Sequence, residues 1–200
     1  MQRDNAPVAE PRRLNVGCGR NILRGWINLD SRGLPGVDIV ADLERCADIP
    51  IPLDDDSIDE ILIAHVIEHI RVPLPVMQEL HRVARPGAKV VIRVPYGSSD
   101  DAWEDPTHVR AYFLQSFGYF SQPFYWRADY GYRGDWQPVK ITLVMDGKIY
   151  GKMSGNDLLE QVNRQRNVVQ EMICELEAVK PIRPPRRELL APPAVHIAFS

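Results

Sequence analysis

The chain reads as an α/β protein built on an open, mostly parallel sheet, and three observations predict it. First, the nearly all-apolar segment Ile58 to Ala64 precedes a helical pattern and the β-branched run Lys89 to Val94, with short links between them. Strand, helix and strand so spaced make a βαβ unit, whose strands lie parallel. Second, the short strands before this unit end in glycine or aspartate, the residues a ligand crevice at strand tips would use. Third, 44% hydrophobic and 26% charged residues over 200 positions suit one domain with a sizeable core.

Taken in order, residues 1–12 are polar and proline-bearing and read as a flexible N-terminal arm. The domain spans 13–180. Leu14 to Val16 is a short strand stopped by Gly17-Cys18-Gly19, Trp26 to Asp30 a second, and Val37 to Asp42 a third. Asp54-Asp55-Asp56 is a solvated turn before the fourth strand, Ile58 to Ala64. Val76, Leu80 and Val83 then recur at helical spacing, with Pro73 and Pro75 near the start and Pro86-Gly87 as the stop. Lys89 to Val94 is the fifth strand.

Beyond Pro95, residues 96–105 form a polar loop and Thr107 to Phe120 contains a helix. Tyr125 to Tyr132 and Trp136 to Met145 read as an antiparallel hairpin that completes seven strands. A long helix is expected from Asp157 to about Val179, with Asp157 and Glu160 at capping-box spacing and Val169, Met172, Ile173 and Leu176 on its apolar face. Residues 181–200 hold five prolines and read as an extended, mobile tail.

Composition narrows the function classes. With 24 basic and 27 acidic residues the chain carries no field that would attract a nucleic-acid backbone non-specifically. Cys18, Cys46 and Cys174 make neither a disulfide framework nor a CxxC pair, which fits a reducing compartment. No apolar run reaches the roughly 20 residues a membrane span needs, so the expectation is a cytoplasmic protein. The long last helix and the aromatic hairpin offer surfaces for a homo-oligomer.

The strand tips carry the chemistry. Gly17, Cys18 and Gly19 follow the first strand, Asp30 ends the second, Asp42 and Leu43 end the third, and His65 ends the fourth. Glycine lets backbone approach a ligand where a Cβ would intrude. Asp30 can accept from both hydroxyls of a ribose, Asp42 from an adenine amine, and Leu43 can cover the purine face. An adenosine cofactor is implied. A nicotinamide cofactor would require GxGxxG and an acidic residue roughly 20 positions further on. Here Ile22 holds the third glycine's place, and the Gly17–Gly25 link is too short for a full helix on a pyrophosphate. S-adenosylmethionine carries no phosphate.

In this order, Leu14 to Gly19 (LNVGCG), Gly25 to Asp30 (GWINLD), Asp42-Leu43, Ser57 to Ile61 (SIDEI), His65 to His69 (HVIEH) and Arg85 to Ala88 (RPGA) resemble the class I S-adenosylmethionine-dependent methyltransferases. The nearest likeness is to a compact branch with a shortened first crossover, often associated with surface-polymer biosynthesis. The resemblance covers residues 13–95 closely and 96–145 loosely. It implies a Rossmann-like methyltransferase fold, a mostly parallel seven-stranded sheet with an antiparallel C-terminal hairpin and helices on both faces. It also implies that Gly17 and Gly19 pass close to the methionine part and that His65 flanks the sulfonium. The acceptor it suggests is a small metabolite or a glycan sugar, methylated on oxygen or nitrogen.

Such an acceptor must shed a proton, and His108, Asp105 and His65 are the candidate groups by position. His108 ranks first, because its segment would cover the acceptor. Residues 96–136 hold 13 of the 16 aromatic residues, which can pack the core or line an acceptor pocket. His65-Val66-Ile67-Glu68-His69 matches the HxxEH zinc motif, but His65 at a strand end interrupts the required helical face. No metal is therefore expected. Two rivals stand beside the enzyme: a non-catalytic binding or scaffold protein of the same fold, and a nicotinamide-dependent oxidoreductase or epimerase.

Overall fold

The computed structural model describes residues 10–200, so most of the arm expected over residues 1–12 lies outside the described residues. Eight strands make one sheet: β1 (Arg13–Val16), β2 (Ile27–Asp30), β3 (Ile39–Val40), β4 (Ile58–Ala64), β5 (Ala84–Pro95), β6 (Trp136–Met145), β7 (Glu171–Ala178) and β8 (Ala194–Phe199). Their order is β3-β2-β1-β4-β5-β7-β6-β8. Strands β1 to β5 are parallel, β7 runs antiparallel between β5 and β6, and β8 lies parallel to β6. The α-helices of the described residues are α1 (Pro73–Val83), α2 (Asp101–Glu104), α3 (Gly147–Tyr150) and α4 (Gly155–Arg164).

Strand alternation and helix periodicity fill the core together. Leu14 and Val16 of β1, Ile61 and Ile63 of β4, and Val90, Ile92 and Val94 of β5 are all buried. Helix α1, with proline in its first turn, buries Val76, Met77, Leu80 and Val83. Full burial of a side chain of this size stabilises by about 1.5–3 kcal/mol.

The chain enters the sheet in its middle. It runs outward through β2 and β3, then returns to pair β4 with the other side of β1. Strand order thus reverses between β1 and β4, where open sheets leave a crevice at their carboxyl ends. Val16 pairs with Leu29 and with Ile63, so Gly17, Asp30 and Ala64 come out level.

Several expectations are corrected here. The helix expected over 157–179 stops at Arg164, and Glu171–Ala178 is strand β7. Val169, Met172, Ile173 and Leu176 do keep helical spacing, but Met172, Cys174, Leu176 and Ala178 also alternate, and that alternate set is what the slot between β5 and β6 buries. The true start of α4 is Ser154, whose hydroxyl accepts from the Asp157 N–H, one turn before the expected cap. With that helix goes one of the two surfaces expected to support self-association.

The hairpin partner of β6 is consequently β7 and not residues 125–132. Those residues begin inside a 3-10 turn, Gln122–Trp126, and form no strand, and the helical structure in Thr107 to Phe120 is only a 3-10 turn, Ser116–Phe120. The tail contributes an eighth strand, β8, so the sheet exceeds the seven expected. Arg183 pins its start: the guanidinium donates to both carboxylate oxygens of the fully buried Asp135 at 2.8 Å. A buried charge held this way is satisfied, whereas one left alone would be costly.

No helix separates β1 from β2; two buried asparagines hold that crossover instead. The Asn28 side chain accepts from the Leu23 N–H at 2.9 Å and from the Asn15 amide at 3.0 Å, and donates to the carbonyls of Leu23 and Trp26. We expect Asn28→Ala to leave these groups short of partners and to cost about 1–3 kcal/mol for each one stranded in the interior. Equilibrium urea unfolding measures this; an unchanged midpoint would contradict the role of the asparagines.

Candidate functional site

The strand tips and the first turns after them line an open cleft of about 310 Å³, bordered by Gly17, Asp30, Asp42, Leu43, Glu44, His65, Val66 and His69 among others. Of the expected cofactor residues, Gly17, Asp30, Asp42, Leu43 and His65 are thus brought to one place. Gly19 stands behind the turn, donating its N–H to Asp30 Oδ2 at 2.8 Å. The Cys18 side chain is buried, and burial together with the nearby Asp30 pushes its thiol pKa up, so it is no nucleophile at neutral pH.

Each carboxylate is fixed by backbone. Asp30 Oδ1 accepts from the Arg32 N–H at 2.9 Å and from the Ser31 hydroxyl at 3.5 Å, while Oδ2 accepts from Gly19 alone and keeps a further lone pair. Asp42 caps the 3-10 turn Leu43–Arg45, accepting from the Glu44 N–H at 3.0 Å through one oxygen. Leu43 is buried beside it.

His65 has φ +55° at the end of β4, an uncommon conformation for a residue with a side chain. Its N–H still bonds the Arg93 carbonyl at 2.9 Å, while Nε2 reaches Glu171 at 3.0 Å. The hydrogen bond to Glu171, with Glu68 beside it, pushes the His65 pKa up to about 9. Burial opposes ionisation of Glu171, but hydrogen bonds from His65 and Arg93 hold it down at about 2. His65 is therefore an imidazolium at neutral pH, with no lone pair for a proton.

The other two candidate groups lie just beyond. His108 is 9% exposed at its side chain, and its Nε2 stands 3.9 Å from Asp105 Oδ2, too far for a hydrogen bond. Asp105 is occupied by Thr107, whose N–H and hydroxyl both donate to Oδ1. The His108 ring packs edge-on against His69, with centroids 4.7 Å apart, and His69 borders the cleft. The sequence names His69 and Glu68 only as members of the HxxEH motif and gives neither a place in the site. The 3-10 turn Ile67–His69 that aims them has no side-chain cap or periodic pattern to announce it. Because only that short turn follows His65, the helical context of the HxxEH motif is absent.

A second cavity, of about 430 Å³, begins one residue on from the cleft. It is lined by Arg71, Arg110, Tyr112, Tyr119, Tyr125 and Tyr130 with several apolar neighbours. Part of the aromatic segment thus lines a cavity, while Phe117 and Trp136 are core.

Residues 14–92 match the family model of a methyltransferase domain. The chain is similar in fold to an S-adenosylmethionine-dependent methyltransferase from Archaeoglobus fulgidus, with 17% identity over 84% of this chain and 86% of that one, and a TM-score of 0.61. A second such structure, from Aquifex aeolicus, has 19% identity over 84% and 82% and a TM-score of 0.52. A third, from Mesorhizobium loti, has 13% identity over 84% and 90% and a TM-score of 0.51. No curated protein matches the chain. No helix among the described residues is long and apolar enough to cross a membrane.

Gly17 is where the cleft leaves least room. Its φ is +64°, and a Cβ there would come within 2.4 Å of Val66 Cγ2, whereas at Gly19, with φ +50°, a Cβ would meet nothing within 4 Å. Gly17→Ala should therefore cost more stability than Gly19→Ala, whose penalty is the left-handed backbone alone, about 1–2 kcal/mol. Paired thermal melts check the order, and equal losses would contradict the close approach at Val66.

Proposed function

We propose that this chain acts as a class I S-adenosylmethionine-dependent methyltransferase, moving the methyl group of that cofactor to an oxygen or nitrogen of a small metabolite or a surface-glycan sugar. One observation carries the cofactor side: the cleft presents three carboxylates, Asp30, Asp42 and Glu44, around a glycine backbone, and no α-helix of the described residues contributes to its border. The His65 imidazolium is offset by Glu171 and Glu68, so the three carboxylates leave a field that suits a cationic nucleoside and repels a pyrophosphate. It argues against the nicotinamide reading on electrostatic grounds. The residues fit the group they would hold: Asp30 borders the cleft with acceptor capacity to spare, and glycine at 17 lets the turn lie against Val66, where a Cβ would collide.

Each residue then has a task. Asp30 uses its remaining lone pair for a ribose hydroxyl, Asp42 faces the adenine amine, and Leu43 covers the base. Gly17 gives its backbone to the methionine part. When bound, the cofactor supplies a methyl group already activated on a sulfonium. What remains for the chain is to hold donor and acceptor in line and to exclude water.

The acceptor side we assign to the aromatic cavity and to the His108, His69 and Glu68 group between cavity and cleft. Tyrosine faces suit the apolar face of a sugar ring or a planar metabolite. Arg71 and Arg110 would favour an acceptor bearing an acidic group.

The test pairs binding with transfer. Asp30→Ala should weaken S-adenosylmethionine binding about 10–100-fold in calorimetry, the worth of lost hydrogen bonds to a charged group. The unaltered chain should carry label from methyl-labelled cofactor into pooled glycan precursors or small metabolites. A neutral Asp30→Ala together with no labelled product would instead favour the scaffold reading.

A further inference from the structure

The Glu68, His69 and His108 group has more chemistry than a proton acceptor needs. Each residue offers one donor atom, and the three atoms lie within 4.8 Å of one another. Glu68 is only 2% exposed, yet neither of its carboxylate oxygens has a hydrogen-bond partner among the described residues. His65 Nδ1 lies 3.5 Å from Oε1, at ion-pair distance but without hydrogen-bond geometry. His108 Nδ1 is likewise buried and unpartnered. Buried polar atoms are nearly always satisfied; here Glu68 Oε2 and His108 Nδ1 have no partner and Oε1 has only the His65 ion pair, so the cluster needs an explanation.

The rest of the cluster is arranged as a ligand set would be. His69 Nδ1 faces the Thr107 carbonyl at 3.3 Å and the Thr107 hydroxyl at 2.9 Å, which fixes the ring and leaves Nε2 free. Thr107 is held in turn by Asp105, whose Oδ2 lies 3.9 Å from His108 Nε2. A ring nitrogen anchored from behind, as His69 Nδ1 is by Thr107, is the usual support of a metal-bound histidine. The segment is locked to the same turn by backbone, the Val109 N–H donating to the Glu68 carbonyl at 2.9 Å.

We propose that Glu68, His69 and His108 bind one divalent transition-metal ion beside the cleft. Two imidazoles and one carboxylate suit Zn²⁺ or Fe²⁺ and disfavour Mg²⁺ and Ca²⁺, which take oxygen ligands. Three protein ligands leave coordination positions open, and His69 places the site at the cleft wall. An acceptor oxygen held there would be oriented and would lose its proton to water more readily. That role rests on the methyl-transfer reading above; the existence of the site does not. The arrangement differs from the HxxEH motif, because His108 from the segment after β5 takes the place of His65.

The experiment uses the full chain stripped with chelator and titrated with ZnCl₂, and with FeCl₂ under anaerobic conditions, by calorimetry. Bound metal is counted by mass spectrometry after desalting. One ion per chain is expected, with binding weakened at least about tenfold in Glu68→Gln and His108→Gln, since loss of even a supporting partner costs about 10–100-fold. Circular dichroism melts confirm that each variant is folded, and His69→Gln provides a third should one fail. Absence of a retained ion, or equal retention by all folded variants, would overturn the site. S-adenosylmethionine titrated into the same metal-free protein separates the two readings. Cofactor binding without metal binding defeats this inference alone, while metal binding without cofactor binding supports it and defeats the methyl-transfer reading.

Discussion

The hydrogen bond from the Gly19 N–H to Asp30 Oδ2 is the contact on which the site depends. It ties the turn after β1 to the tip of β2, in a crossover that has no helix to impose a path. The other oxygen of the same carboxylate orders the turn after β2 through Arg32. One side chain thus shapes two loops and also borders the cleft. Asn28 and Asn15 extend this polar scaffold inward, doing with side-chain hydrogen bonds what an amphipathic helix would do with apolar burial. Polar networks of this kind hold a unique geometry only when each member is satisfied.

Why the site lies where it does follows from topology. The reversal of strand order between β1 and β4 parts the chain at their carboxyl ends, and the left-handed residues Gly17 and His65 stand on either side. Gly17 tolerates that conformation freely, while His65 has it imposed by its hydrogen bonds to Arg93 and Glu171. Glu171 comes from β7, in the antiparallel half of the sheet. The C-terminal strands therefore help to build the cleft as well as closing the core.

Much of this was legible in the residues. The five parallel strands and α1 are written in short apolar runs with glycine, proline or aspartate at their ends, signals that depend on neighbours in sequence. The second half was not, because its signals are ambiguous locally. Val169 to Leu176 satisfies both the 3.6 and the 2 period, and only the gap between β5 and β6 decides between them. The proline-bearing tail shows no strand pattern strong enough to compete with its composition, yet β6 offers it an edge, and Arg183 on Asp135 delivers it there. The candidate site divides the same way. Gly17, Asp30 and Asp42 follow from strand ends, whereas the meeting of Glu68 with His108 depends on a loop returning after β5, which spacing along the chain does not encode.

The account as a whole is tested most directly by titrating S-adenosylhomocysteine into isotope-labelled protein and following backbone amide shifts. Saturable changes concentrated at Gly17, Gly19, Asp30, Leu43 and His65 to His69 are predicted. Shifts that do not saturate, or that fall away from the β1–β4 switch, would contradict the placement of the cofactor in this cleft.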